Sequence, residues 1–224
     1  MADMLYMQVA NHILDCIQSG TLKEHDRISE RKLAAEYNVS RTVVRESIKL
    51  LNERGLVRTV CGKGSFVNIP GRSALISKFE DALDVSRVKQ EEVTQAREIL
   101  EKAMVPLLIS NTDEHDIEVL EELYMQMETS TDVGTKFAYY DERFHLAVSI
   151  CSHNQVMSIM TGTLNGMTDR TDLLSNSAVR INANREHRKM IDALKKKDGS
   201  LLESALEKHI SCIRHIQGEE EAHR

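Results

Sequence analysis

Four side chains in the C-terminal two-thirds of the 224-residue chain have the types and spacing to hold a divalent cation. Asp141 and His145 lie four residues apart in "YYDERFHLAVS" (139–149), one helical turn, so both leave the same helix face. Phe137, Phe144 and Val148 share that face, which directs it into a core. His187 runs with Met190, Ile191 and Leu194, and His209 with Leu202 and Leu206. Between them "KKKDGSLL" reads as helix end, turn and helix start, so the flanking helices form an antiparallel hairpin. His187 is 11 residues before Asp198 and His209 is 11 after it, which sets both imidazoles at one height, facing each other. Three imidazoles and a carboxylate suit Zn²⁺, Ni²⁺, Mn²⁺ or Fe²⁺, with zinc first, and leave coordination positions for water or a ligand. Two other readings use the same residues. The histidines can be hydrogen-bonded core residues beside an ion pair, or the group can be a hydrolytic centre with metal-activated water.

Such a site needs a helical bundle to bury it, and the composition agrees. Two prolines and ten glycines, 41% apolar and 29% charged residues describe a folded, mostly helical protein. Beyond residue 74 the periodicity predicts helices over about 75–84, 90–110, 113–129, 133–151, 155–174, 179–197 and 200–217. Pro106 is expected to kink or break the second of these. "IPGRSA" (69–74) holds the chain's one Pro-Gly dipeptide and marks a junction. The organisation expected is a first domain over 1–70, a linker over 71–78 and an all-α domain over 79–224. The four cysteines are scattered without a CxxC, as core thiols of a reducing compartment would be.

The net charge of −6 hides a split. Residues 27–63 carry 9 Lys/Arg against 4 Asp/Glu, whereas residues 71–224 carry 19 against 27. A basic block on an acidic body is the pattern of a DNA-reading module attached to something else. Within that block "ISERKLAAEYN" and "SRTVVRESIKLLNERG" read as two helices around a tight turn, capped by Ser29 and Ser40 and closed by Gly55. "LVRTVCGKGSFVNIP" follows as a β-hairpin, the wing of a winged helix. The second helix of such a motif meets the major groove with its N-terminal end. Here that end presents Ser40, Arg41, Thr42 and Arg45, all off the apolar stripe of Val44, Ile48 and Leu51. Arginine reads guanine O6 and N7 with two hydrogen bonds, and the hydroxyls serve phosphates or bases.

The stretch "ISERKLAAEYNVSRTVVRESIKLLNERGLVRTVCGKGSFV" resembles the winged-helix domain of GntR-type bacterial transcription factors over residues 8–68. It departs from the family in lacking Pro-Gly before the second helix and in placing Val43 where Pro or Thr is common. The resemblance implies DNA contacts from Arg31, Arg41 and Arg45, phosphate or base contacts from Ser40 and Thr42, and a wing tip that approaches the minor groove at Gly62. "DERFHLAVSICSHN" and "REILE" (97–101) resemble the FCD effector domain of the FadR subfamily, a helical bundle. A metal-binding class of that subfamily uses an Asp-x-x-x-His helix and two later histidines, which here are Asp141, His145, His187 and His209. The same resemblance implies that Arg97 contacts an anionic effector.

Together these predict a mostly α protein: a winged helix-turn-helix domain followed by an all-α effector bundle. The function expected is a cytoplasmic, homodimeric regulator of a palindromic double-stranded operator. Its effector is expected to be a small carboxylate, a hydroxy acid or sugar acid, at a transition-metal site. A metal-free regulator with a bulkier apolar effector and a metal-dependent hydrolase are the competing readings. The start "MADMLYMQVANHILD" lacks the basic and then apolar pattern of a leader, and no apolar run is of bilayer length. No phosphate loop, GxSxG elbow or HExxH is present.

Overall fold

The computed structural model describes residues 2–130, 133–168 and 173–221, with side chains over 5–130, 133–168 and 174–211. It divides into two compact units, Met1–Gly71 and Arg72–Arg224.

The first unit contains α1 (Ala2–Gln18), β1 (Arg27–Ile28), α2 (Glu30–Glu36), α3 (Arg41–Glu53), β2 (Val57–Val60) and β3 (Gly64–Val67). Both turn-flanking helices start where the sequence places them. The Ser29 hydroxyl accepts the Lys32 N–H and the Ser40 hydroxyl accepts the Val43 N–H, each at 3.3 Å. Val44, Ile48 and Leu51 of α3 are buried against Val9 and Ile13 of α1 and against Val57 and Val67 of the wing. The Ser47 hydroxyl, also buried, donates to the Tyr6 carbonyl at 2.8 Å and ties α3 to α1. Gly55 takes φ +76° where the chain leaves α3, a conformation that disfavours any Cβ. The sheet order is β1-β3-β2, antiparallel throughout. Strand β1 goes beyond the hairpin expected from sequence: two residues are too short to show a period-2 pattern.

The second unit is helical: α4 (Arg72–Val85), α5 (Gln90–Asn111), α6 (Glu114–Glu128), α7 (Gly134–Ile150), α8 (Gln155–Gly166), a 3-10 turn at Leu173–Ser175, α9 (Ser177–Lys196) and α10 (Gly199–Glu221). Three expectations need correction. Residues 72–78, read as linker, are the first turns of α4. Their partly buried Leu75 and Ile76 are apolar enough to pack, and Ile76 lies against the backbone of α8 at Gly162. Helix α5 runs unbroken through Pro106. That ring sits on the exposed face, where the carbonyl it leaves without an N–H can be hydrated. The helix expected over 155–174 ends at Gly166 instead. Beyond Gly166 the Thr168 hydroxyl donates back to the Leu164 carbonyl at 2.8 Å. Residues 169–172 of that expectation lie outside the described residues.

The α9–α10 turn sets the register of the site. Lys197 takes a left-handed φ of +54° and its N–H returns to the carbonyls of Ala193 and Leu194. The Asp198 carboxylate then accepts the Leu201 N–H at 3.0 Å and starts α10. The core around it joins Phe137 and Phe144 of α7, Met190, Ile191 and Leu194 of α9, and Leu202 and Leu206 of α10. Among the described residues no helix is long and apolar enough to cross a membrane.

Leu51 is fully buried between α1, α3 and the wing. Leu51→Ala is expected to lose about 2–5 kcal/mol of stability in the first unit, read by urea denaturation. A loss under about 1 kcal/mol contradicts the packing described.

Candidate metal centre and nucleic-acid interface

On the first unit, Arg31, Ser40, Arg41, Thr42, Arg45 and Gly62 are all exposed. Ser40, Arg41, Thr42 and Arg45 occupy the first turns of α3, where unpaired backbone N–H groups add a positive pole for phosphate. The Ser40 oxygen accepts the cap hydrogen bond and keeps its own O–H to donate. Arg45 Nε stands 3.0 Å from Glu30 Oε2 of α2, with both side chains substantially exposed. Such a pair contributes little stability in water and is readily exchanged for a base or phosphate partner. Gly62 takes φ +74° in the turn between β2 and β3, and the exposed Lys63 beside it adds a charge at the wing tip. The sequence reading passed over Lys63, although it lies in the basic block.

In the second unit, Asp141 and His145 of α7, His187 of α9 and His209 of α10 are brought together and withdrawn from water. Their exposures are 2%, 4%, 0% and 4%. One nitrogen from each of the three imidazoles lies within 4.8 Å of the other two. His145 Nε2 and His187 Nε2 are 3.3 Å apart, and Asp141 Oδ1 stands 3.4 Å from His187 Nε2 and 3.8 Å from His145 Nε2. Phe144 packs its ring 4.6 Å from that of His187 and closes one side.

This donor set fits a transition ion. Donors about 2.0–2.2 Å from one ion, at tetrahedral or octahedral angles, lie roughly 3–3.5 Å from their neighbours. The His145–His187 and Asp141–His187 separations match that spacing. Dry imidazole and carboxylate groups also meet an ion's need for lone pairs better than they suit an apolar core.

A cavity of about 300 Å³, counting the space open to solvent, adjoins the centre, and His145 forms part of its wall. Met104, Leu108, Val148 and Leu206 give its lining an apolar part, and Glu101, Ser149, Thr161 and Asn165 are its other polar residues. Arg97 is 1% exposed and its Nε lies 2.5 Å from Glu101 Oε1. Of this pair it is Glu101 that lines the cavity. The sequence reading did not single out Glu101. Its i, i+4 spacing from Arg97 was the available signal, but that spacing usually marks a surface pair.

Two further groups have structural roles. Asp113 and Asp116 form the capping box of α6, and His153 Nε2 meets Asp116 Oδ2 at 2.8 Å, on a partly exposed surface. The Cys151 thiol is pushed up to about 12, first by burial and then by the nearby charge of Asp116, so it stays protonated.

Residues 5–67 match the family model "Bacterial regulatory proteins, gntR family", and residues 92–211 match the model "FCD domain". The chain belongs to the GntR family of regulators that carry an FCD domain. This GntR–FCD chain is 27% identical over 198 residues to the uncharacterized HTH-type transcriptional regulator YdhC of Bacillus subtilis, covering 86% of this chain and 82% of the relative. It is 26% identical over 219 residues to the HTH-type transcriptional regulator LutR of the same organism, covering 89% and 95%. The solved structure "Streptococcus agalactiae GntR" superimposes with a TM-score of 0.76 at 21% identity, covering 94% of this chain and 99% of that one, and shows the shared fold. The GntR–FCD chain is therefore a transcriptional regulator and not an enzyme.

For the GntR unit, Arg41→Ala and Arg45→Ala are each expected to weaken specific operator binding by about 1–3 kcal/mol in gel-shift titration. Unchanged affinity in both variants removes α3 from the groove.

Proposed function

We propose that this regulator reads a palindromic operator as a homodimer in the cytoplasm. In this reading its FCD unit responds to a small carboxylate, a hydroxy acid or sugar acid, at a divalent transition-metal centre. The observation that carries the reading is the gathering of the buried imidazoles of His145, His187 and His209, with the buried carboxylate of Asp141 3.4 Å from His187, beside a cavity that His145 lines.

Asp141, His145, His187 and His209 would hold the ion, with zinc the first candidate. A bound ion supplies a Lewis-acid pole for an anionic ligand. For an imidazole to face it, the facing nitrogen carries a lone pair and the opposite nitrogen carries the proton. The carboxylate of Asp141 balances part of the added charge and fixes the ring of His187 at 3.4 Å. The apolar wall excludes water, so an anionic ligand is held by fewer and stronger contacts than on an open surface. Arg97, ion-paired with Glu101 of the cavity wall, is the cation that an incoming carboxylate would compete for. A ligand that binds one arrangement of the helices more tightly shifts the population toward it. In a dimer such a shift changes how well two α3 helices match half-sites about 34–36 Å apart.

The test combines metal analysis with thermal shift. The purified protein is expected to hold about one transition ion per chain, and chelator to lower its melting temperature. Excess ion is expected to restore that loss through mass action, by about 4 kcal/mol at a thousand times Kd. Small carboxylates are expected to raise the melting temperature further, and only with the ion present. His187→Ala and His209→Ala are each expected to weaken metal affinity more than about 100-fold and abolish the ligand response, while leaving operator affinity without effector intact. Less than about half an ion per chain, with no gain on adding Zn²⁺ or Ni²⁺, rejects the metal centre in favour of a metal-free regulator.

A further inference from the structure

Strand alternation sorts the side chains of the wing sheet onto two faces. Ile28, Val57, Ser65 and Val67 turn inward and are buried, and the Thr59 and Ser65 hydroxyls meet at 3.0 Å on that side. Arg27, Phe66 and Arg58 turn outward. Arg27 of β1 and Arg58 of β2 are both registered opposite Phe66 of β3, so two arginines flank one aromatic ring. Both arginines are exposed and the phenylalanine is half-buried. Arg27 rests on the backbone of the wing because Gly64, the neighbouring outward position of β3, has no side chain. A Cβ at Gly64 would stand 3.2 Å from Arg27 Nε and 3.4 Å from its Nη2. Arg45 is paired with Glu30, but among the described residues neither Arg27 nor Arg58 has an ion-pair partner. The Asp26 carboxylate, next to Arg27 in the chain, accepts the Lys23 N–H at 2.8 Å.

We propose that this outward face of the wing is a phosphate-binding surface for operator DNA, on which Arg27 and Arg58 each hold the sugar-phosphate backbone beside the groove that α3 reads. This rests on the operator-reading function proposed for α3 and adds a second surface to it. Two connections put Arg27 among the DNA contacts. Along the chain it lies three residues before Glu30, whose carboxylate is 3.0 Å from Arg45 of α3. Through space its guanidinium rests on Gly64, which follows Gly62 and Lys63 of the wing tip. Arg27 thus joins the reading helix to the wing tip, and β1 is the element that holds it there. Arg58 extends the surface by two strand spacings, about 10 Å. One strand of B-DNA advances about 3.4 Å per phosphate, so the two guanidiniums meet different phosphates. The planar guanidinium offers phosphate oxygens paired donors. Such contacts fix the register of the protein on the duplex and carry no base information. The outward positions Arg27, Arg58, Val60, Gly64 and Phe66 include no carboxylate, which suits a polyanion and not a protein surface of mixed charge.

The experiment measures binding of the full-length protein to two duplexes by fluorescence anisotropy. One duplex is enriched from a random pool by wild type, and the other carries the enriched bases scrambled. Salt is varied between about 50 and 200 mM. Arg27→Gln and Arg58→Gln are each expected to lower the slope of log affinity against log salt by about 0.9, and the double variant by about twice that. Each loss of affinity is then about 3.5-fold larger at the lower salt than at the higher, and equal on the two duplexes to within about twofold. Arg27→Lys and Arg58→Lys keep the charge and are expected to keep the slope. Arg41→Ala, by contrast, is expected to lose the preference for the enriched duplex. Arginines that only pack on the wing would weaken binding without moving the slope, and an unmoved slope in the double variant overturns the proposal. A loss confined to the enriched duplex makes these residues base readers and overturns it as well. If the slope is unmoved while Arg41→Ala still loses the enriched duplex, the outward face falls and the groove reading of α3 stands. If wild type enriches no duplex, both fall.

Discussion

A carboxylate that is 2% exposed inside a helical core must be met by something that can share its charge, and most of the second unit follows from that requirement. Asp141 is met by the imidazoles of His145 and His187, and the ring of His209 packs against both of those rings, so three helices build the group. Helix α7 brings the acid and one ring, while α9 and α10 bring one ring each. The packing of Phe144, Met190, Leu194 and Leu206 around the group keeps it dry and keeps the rings from turning out to solvent. Dryness strengthens the electrostatics and raises the penalty for leaving any group unmatched. The same chain thus uses apolar burial to make a polar site selective.

Much of this was legible in the sequence because it depends on spacing. Asp141 and His145 on one face, the hairpin symmetry of His187 and His209 about Asp198, and the two serine caps of the helix-turn-helix are local rules applied to a few residues. Where the reading failed, the deciding physics was not local. Pro106 disrupts a helix according to its own chemistry, but its outward position, which lets the helix continue, is a property of the fold. The end of α8 at Gly166 lies inside an apparently periodic run. Residues 72–78 looked like linker because Pro-Gly precedes them, yet their apolar side chains find a surface on α8.

The cavity was the least legible part. An arginine and a glutamate four apart on a helix look alike whether they are on a surface or sealed in a core. Only the packing of α5 against α8 and α10 distinguishes the cases, and that depends on residues far away in the chain. The family likeness pointed to Arg97, whereas the geometry places its partner Glu101 on the cavity wall. Resemblance located the helix that matters, and packing decided which of its side chains faces the space.

The turn at Lys197 and Asp198 carries a consequence for how the chain tolerates change. His187 and His209 are related through the residue count of that turn, not through any residue in it. Many substitutions there would keep a left-handed residue and a capping side chain. Inserting or deleting one residue would leave both helices intact but rotate one against the other by about 100° and slide it by about 1.5 Å. His209 would then leave the cluster although no ligand had been altered. The centre is thus robust to spelling and intolerant of length, so an insertion or deletion in this turn would be the more damaging change.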